Sequence, residues 1–367
     1  MTAGASSTPP SGGHRVAVTG ATGLVGKSLV SYLLGQGYGV VAVGRSRSRL
    51  DELARELKSI GAKDSETSLE TRLADVSDPV ALEEAFRGCD AVVHSAGSVD
   101  PYGAREEIFA INHGGTKNAL AAASAARLKH FIQISSLSVI TGQGDQYNVD
   151  ESTPLKPCGE SYADSKVEAE REVMNNASAG LEVTSLRPGF IYGPGERAWM
   201  PRVINSIATG KAMLIDGGKK DTNVIYVENL SRAVENAILN PVAYGQAYNL
   251  TDGEKISKKR LFDAIADGMG LPRVTRVVPA FIARAACETV SSIAPYLSAD
   301  RQRSLSRFSR AAFRLAGVNQ GFSINKAEKE LGYTNRIGFD QGMKLTLDSF
   351  KSAERSEAGS LETAGRQ

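Results

Sequence analysis

The chain has 367 residues, 41% of them hydrophobic and 23% charged, with a formal net charge of +2. That length suits one large α/β domain with a smaller appendage, and the composition is that of a globular protein. The balanced charge gives no global field for nucleic acid, and no stretch is long and apolar enough to span a bilayer.

Residues 1–13 are Ser, Thr, Pro and Gly without an apolar run, and residues 352–367 are of similar character. Both read as disordered tails, and the first does not read as a signal peptide. Cys89, Cys158 and Cys287 lie far apart without metal-ligand spacing, as expected of reduced thiols in the cytoplasm. No metal pattern links the four histidines either, and His94, in an apolar run, reads as a packed core residue.

The first apolar run, Val16-Ala17-Val18, leads into Thr19-Gly20-Ala21-Thr22-Gly23-Leu24-Val25-Gly26, and a helical pattern runs from Leu24 to Leu34. Strand, glycine turn and helix together present a helix N-terminus to a phosphate. Gly20 allows the tight turn, Gly23 lets backbone approach a pyrophosphate, and Gly26 lets the helix pack on the strand. The next buried strand, Gly39 to Val43, ends at Gly44-Arg45-Ser46-Arg47-Ser48-Arg49, with no acid before Asp51. An acid there would accept from the 2′-hydroxyl of NAD, whereas arginine accommodates the 2′-phosphate of NADP. Arg45 is the best placed, so NADP is favoured and NAD is the alternative; the bland reading is a solvated basic turn.

A helix from Leu50 to Ile60 and a strand-like Leu69 to Leu73 lead to Asp75-Val76, and a short helix starts at Pro79. The buried strand Ala91 to His94 is followed by Ser95-Ala96-Gly97, small enough for a flat ring to approach the backbone. A long helix is expected over Glu106 to Ala126, then a strand over His130 to Ile134 ending in Ser135-Ser136. This alternation predicts a doubly wound parallel sheet. Tyr162 and Lys166 stand four apart on the next helix and so share one face. An ammonium beside a phenol favours the phenolate and suits tyrosine to proton transfer. Beyond Arg187-Pro188-Gly189 strands and helices interleave less regularly. Residues 14–190 are thus read mainly as the sheet domain, and 191–350 as a smaller mixed α/β lobe interleaved with it.

These motifs in this order, with Asn112-x-x-Gly115-Thr116-x-Asn118, Tyr192-Gly193-Pro194 and Leu331-Gly332-Tyr333, resemble the extended short-chain dehydrogenase/reductase family over His14 to Phe350. The resemblance implies a Rossmann fold with Tyr162 as acid/base, Lys166 holding the nicotinamide ribose and Ser136 orienting the substrate oxygen. It implies that Gly20, Thr22, Gly23, Leu24 and Val25 meet the pyrophosphate, Arg45 the adenosine ribose, and Asp75 and Val76 the adenine. Ala96 and Gly97 fall at the linking ribose and Pro188 and Ile191 near the nicotinamide; Asn112 and Ser135 count with the cofactor-binding residues.

Leu137-Ser138 stands where the family's dehydratases carry an Asp-Glu pair, and Thr222 where its epimerases carry an arginine. The chain is more similar to the 3β-hydroxysteroid dehydrogenase/isomerase branch, which includes sterol dehydrogenases and a reductase of long-chain 2-alkyl-3-oxo acids. The implied activity interconverts a secondary alcohol and a ketone on a small, bulky, apolar substrate. The alternatives are a nucleotide-sugar epimerase and a non-catalytic redox sensor; a homodimer is left open. Residues 279–318 carry an apolar stripe, Phe281, Ile282, Ala285, Ala286, Thr289, Val290 and Ile293. Arg301, Arg303, Arg307, Arg310 and Arg314 then interleave with Leu305, Phe308, Ala312, Phe313 and Leu315. Either the stripes are buried as a cap over the lobe, or the segment rests on a membrane surface.

Overall fold

The computed structural model describes residues 13–59, 69–99, 103–141, 144–176, 180–293 and 310–364, together with Tyr296, Arg301 and Leu305. The expected N-terminal tail lies outside them apart from Gly13, as do Arg303, Arg307 and Phe308.

Short runs rich in valine and isoleucine, bounded by glycine, favour buried parallel strands. Strands β1 (Arg15–Thr19), β2 (Gly39–Gly44), β4 (Ala91–His94), β5 (His130–Ile134) and β6 (Glu182–Pro188) are largely buried, while β3 (Leu69–Leu73), which alternates apolar and polar residues, lies half-buried at the sheet edge. Between them run helices α1 (Leu24–Gly35), α2 (Arg47–Ser59), α3 (Pro79–Phe86), α4 (Arg105–Phe109), α5 (Gly115–Ala125) and α6 (Ser161–Asn175). A π-helical turn, Ala110–Gly114, joins α4 to α5. The single long helix expected there is therefore wound wider at Asn112, and such turns recur at functional sites. The rest of the chain forms β7 (Phe190–Tyr192), α7 (Met200–Ala208), β8 (Leu214–Ile215), β9 (Val224–Tyr226), α8 (Val227–Ala237) and β10 (Gln246–Leu250). It closes with α9 (Lys258–Met269), β11 (Val277–Val278), α10 (Ala280–Ile293), α11 (Arg310–Gly317), α12 (Asn325–Leu331) and α13 (Phe339–Ala364).

Seven strands make one sheet in the order β10, β6, β5, β4, β1, β2, β3, every neighbouring pair parallel. The strand order turns back between β1 and β4, which opens a crevice at their C-terminal ends. One face is covered by Leu29, Leu33, Leu50, Leu230 and Val234, and the other by Leu82, Phe86, Ala119, Ala123 and Val173. β10 and α8 come from the second half of the chain, so sheet and lobe are interleaved. A third core, with Tyr192, Met200, Leu214, Phe339 and Met343, belongs to the lobe. Asp252, just after β10, ties the two together by accepting from the Tyr192 hydroxyl at 2.7 Å, Asn229 Nδ2 at 2.8 Å and the Tyr226 amide at 2.8 Å. Burial pushes its carboxyl up to about 6, against these hydrogen bonds.

Two expectations change. Helix α13 continues to Ala364, through the stretch read as a tail; alanine, glutamate and arginine there favour helix. The apolar stripe of α10 is not buried as a whole: Phe281, Ile282, Ala285, Ala286, Thr289 and Ile293 are exposed, while Cys287 is the buried residue of that helix.

Helix α1 packs tightly on the glycine turn. A Cβ on Gly26 would lie 2.2 Å from the Gly20 carbonyl oxygen and 2.6 Å from Ala21 Cα, so backbone must move to admit one. Gly26→Ala is expected to lose about 1–3 kcal/mol of stability by overpacking; an unchanged urea midpoint and slope would contradict this.

Candidate active site

The sequence folds the glycine turn so that the start of α1 is left open. Gly23 is its N-cap, no side chain caps it, and its first turn holds no acid. The amide groups of that turn and the helix dipole therefore favour an anion. Gly20 takes φ +67°, and a Cβ there would lie 2.9 Å from Ala96 Cα and N. The turn thus meets the end of β4 backbone to backbone, leaving room above it for a flat or extended group. Ser95 donates to the Thr19 carbonyl at 2.6 Å and fixes that contact.

At the β2 end Arg45 is exposed, while Arg47 and Arg49 fall in the first turn of α2. Asp75 sits across from Arg45. Its carboxyl is held below the usual range by the amide and hydroxyl of Ser77, with help from the Arg45 charge. Val76 packs against Gly115, where a Cβ would lie 2.8 Å from Val76 Cγ2, and Asn118 Nδ2 donates to the Val76 carbonyl at 2.9 Å. The Asn-x-x-Gly-Thr-x-Asn motif therefore shapes the wall after β3.

Asn112, in the π-turn, is buried. Its Nδ2 donates to the Ser98 carbonyl and Ser165 Oγ, both at 3.0 Å, and its Oδ1 accepts from the Ser98 amide at 2.7 Å. Its amide pins the loop after Gly97 to α6. A Cβ on Gly97 would stand 3.0 Å from Asn112 Oδ1 and 3.6 Å from Lys166 Nζ, so glycine brings backbone close to the lysine.

Tyr162 and Lys166 do share a face of α6, but their expected pairing is modified. The buried Lys166 donates its Nζ to the Ile134 carbonyl at 2.9 Å. Burial pushes its pKa down to about 8, partly offset by Glu170. Burial pushes the Tyr162 phenol up, and the neighbouring Ser136 hydroxyl acts the other way. Relief of the phenol thus comes from the serine in this structure. The two serines separate by strand alternation: Ser136 turns to Tyr162, and Ser135 turns into the core, donating to Glu170 Oε2 at 2.5 Å. Pro188 is buried at the end of β6, and Ile191 is half-buried on β7, where its carbonyl accepts from Trp199 Nε1 at 2.9 Å. His94 is a core residue as expected, bonded through Nδ1 to Thr19 Oγ1 at 2.9 Å and pushed down to about 3 by burial.

Glu170 was not singled out from the sequence, although it stands one turn beyond Lys166 on the same face. Fully buried, it accepts from Ser135, from Ser185 at 2.9 Å and from Arg187 Nε at 2.8 Å. The spacing Tyr162, Lys166, Glu170, with an arginine on the following strand, was the available signal.

A model described as the NAD dependent epimerase/dehydratase family matches residues 16–251. A 4-hydroxy-2-methyl-3-oxo-4-farnesyl-3,4-dihydroquinoline-1-oxide ketoreductase of Stigmatella aurantiaca is 29% identical over 95% of this chain and 98% of that one. A 2-alkyl-3-oxoalkanoate reductase of Shewanella oneidensis is 28% identical over 89% of this chain and 84% of that one. A 3-beta-hydroxysteroid dehydrogenase of Mycolicibacterium neoaurum is 28% identical over 91% and 90%.

The Glu170 charge holds the proton on Lys166, so removing it lowers the lysine pKa further. In competitive acetylation against pH, Lys166 is expected to lose its protection near pH 8 in the wild type and at lower pH in Glu170→Gln. Identical titrations would show that Glu170 does not act on the lysine.

Proposed function

We propose that this chain, which belongs to the NAD dependent epimerase/dehydratase family, interconverts a secondary alcohol and a ketone on a bulky apolar substrate, with NADP preferred. That it is an oxidoreductase of the 3β-hydroxysteroid dehydrogenase-like branch follows from relatives named as reductases and dehydrogenases over nearly their whole length. Their names specify a farnesylated quinoline oxide, a 2-alkyl-3-oxo acid and a 3β-hydroxysteroid, which share a large apolar body and an oxygen on a secondary carbon.

The observation that carries the reading is that Ser136, at the end of β5, faces the half-buried Tyr162 and lowers the phenol pKa against the effect of burial, with the buried Lys166 one turn further along the same face of α6. The open start of α1 and the bare backbone at Gly20 and Gly97 fit a dinucleotide. Residues Thr22 to Val25 would hold its pyrophosphate, Ala96 and Gly97 a ribose, and Pro188 and Ile191 the nicotinamide side. When bound, the nicotinamide supplies the hydride. Tyr162 exchanges a proton with the substrate oxygen, Ser136 orients that oxygen, and Lys166 holds the ribose and adds positive charge near the phenol. Arg45 is exposed at the β2 end, where it can meet a 2′-phosphate. The epimerase reading lacks an arginine at Thr222, which is buried in the lobe.

Tyr162→Phe keeps the ring and removes the proton carrier. It is expected to lose turnover by roughly 10²-fold or more while still binding NADP by fluorescence titration; substantial turnover would remove the tyrosine from this role. Arg45→Asp removes the phosphate partner and adds a like charge. It should shift the ratio of kcat/KM from NADP toward NAD; a wild type that prefers NAD would leave Arg45 as a surface residue.

A further inference from the structure

Beneath the proposed site the sheet carries a row of polar side chains on the side covered by α5 and α6. His94 on β4 stands in register with Gln133 on β5, and Gln133 with Ser185 on β6. Arg187, two residues after Ser185, stands in register with Asn249 on β10. Alternate residues of a strand share one side of its sheet. Gln133 therefore falls with Phe131, and Arg187 with Val183, in the core on that side. The His94 ring lies there too, 5.7 Å from that of Phe131. His94, Gln133, Arg187 and Asn249 are at most 5% exposed.

Atoms of these four residues find no hydrogen-bond partner among the described residues: His94 Nε2, Gln133 Nε2 and Oε1, Arg187 Nη1 and Asn249 Oδ1. Buried polar groups of folded proteins are nearly always paired, so orphans clustered on one face call for a ligand. Gln133 is orphaned at both ends of its amide, so turning the amide over satisfies nothing. His94 Nδ1 meets Thr19 Oγ1, which already accepts from the Ala96 amide at 3.3 Å. The threonine hydrogen then lies between the two, and the ring hydrogen sits on Nε2. The orphans are thus three donors and two acceptors. An ion of either sign would leave part of this set unpaired, whereas water both donates and accepts.

The row lies against Lys166. The lysine charge reaches His94 and opposes its protonation, and the Glu170 charge reaches the lysine. Glu170 accepts from Ser185 and Arg187, so Gln133 stands between His94 and the residues that hold Glu170. The ionisable groups around Lys166 are His94 on β4, Tyr162 and Glu170 on α6, and Arg187 on β6 behind Glu170. Asn112 in the π-turn is engaged elsewhere: its side chain holds Ser98 and Ser165, and its carbonyl accepts from Thr116 Oγ1 at 2.6 Å. Lys166 donates to the Ile134 carbonyl and has further hydrogens to give.

We propose that this row holds ordered water between the sheet and α6, centred on Gln133, and that Gln133 is a positioning residue acting through that water on Lys166. The water solvates the ammonium from the sheet side, so the lysine keeps a proton that burial alone would strip. Its consequence for catalysis rests on the function proposed above, but the lysine titration is read without turnover, so the two can fail separately.

Gln133→Leu tests this, because leucine fills similar space with no polar atom. In competitive acetylation of the full chain against pH, Lys166 should lose its protection about one pH unit lower than in the wild type, a tenfold loss of proton affinity. The urea midpoint should fall, since His94 Nε2 and Arg187 Nη1 lose the water that pairs them. Gln133→Asn keeps an amide and should restore most of the wild-type titration. An unchanged Lys166 titration in Gln133→Leu would overturn the proposal. A raised urea midpoint would also overturn it, because removing unpaired polar atoms from a dry core stabilises the fold. If Gln133→Leu does not fold, a high-resolution crystal structure of the wild type decides. It should show water bonded to Gln133 and to His94 Nε2 or Arg187 Nη1; side chains closed on one another without water would overturn the proposal.

Discussion

The contact between Gly20 and Ala96 is the constraint on which the rest of the site depends. It sits where the sheet order turns back, with β1 and β4 side by side. Because neither residue places a long side chain in the gap, the turn after β1 closes on the loop after β4 through backbone alone. That closure aims the uncapped start of α1 over the strand ends. Any Cβ on Gly20 would both strain its positive φ and push β4 away.

Beneath this surface lies a charged layer. Glu170, buried under the strand ends, gathers Ser135, Ser185 and Arg187, and its charge supports the proton on Lys166 one turn above. A buried pair of this kind is costly to break, because the remaining partner is left charged without water. It also fixes which serine faces the cleft: with Ser135 bonded downward, Ser136 is the one available to the phenol. The proposed site is thus positioned by α6 and the ends of β5 and β6 together.

The sheet was legible in the sequence because its signals are local. Runs such as Gly39 to Val43 and Ala91 to His94 need only their own residues to declare a buried strand, and the glycine turn needs only its spacing. Tyr162 and Lys166 were singled out by their four-residue spacing and Ser136 by the resemblance, and the structure brings α6 and the end of β5 together at these residues. Their electrostatics were less legible: four-residue spacing put lysine beside tyrosine, but burial and the Ile134 carbonyl, both tertiary, decide where the ammonium goes. Glu170 was missed for the same reason, since its partners come from separate strands. The stripe on α10 was visible as a pattern, yet periodicity does not say which way a helix faces. That depended on Asp216 and the β8–β11 pairing.

The central claim is that the chain moves a hydride between a nicotinamide and a carbon bearing oxygen on an apolar molecule. Incubation with NADPH deuterated at the transferable C4 position and a panel of steroid ketones and long-chain 2-alkyl-3-oxo acids tests it most directly, with mass spectrometry of the products. The account predicts an alcohol carrying one deuterium on the carbinol carbon and NADP in equal amount. No labelled alcohol from the panel, together with an equilibrating nucleotide-sugar pair and no net cofactor turnover, would contradict it.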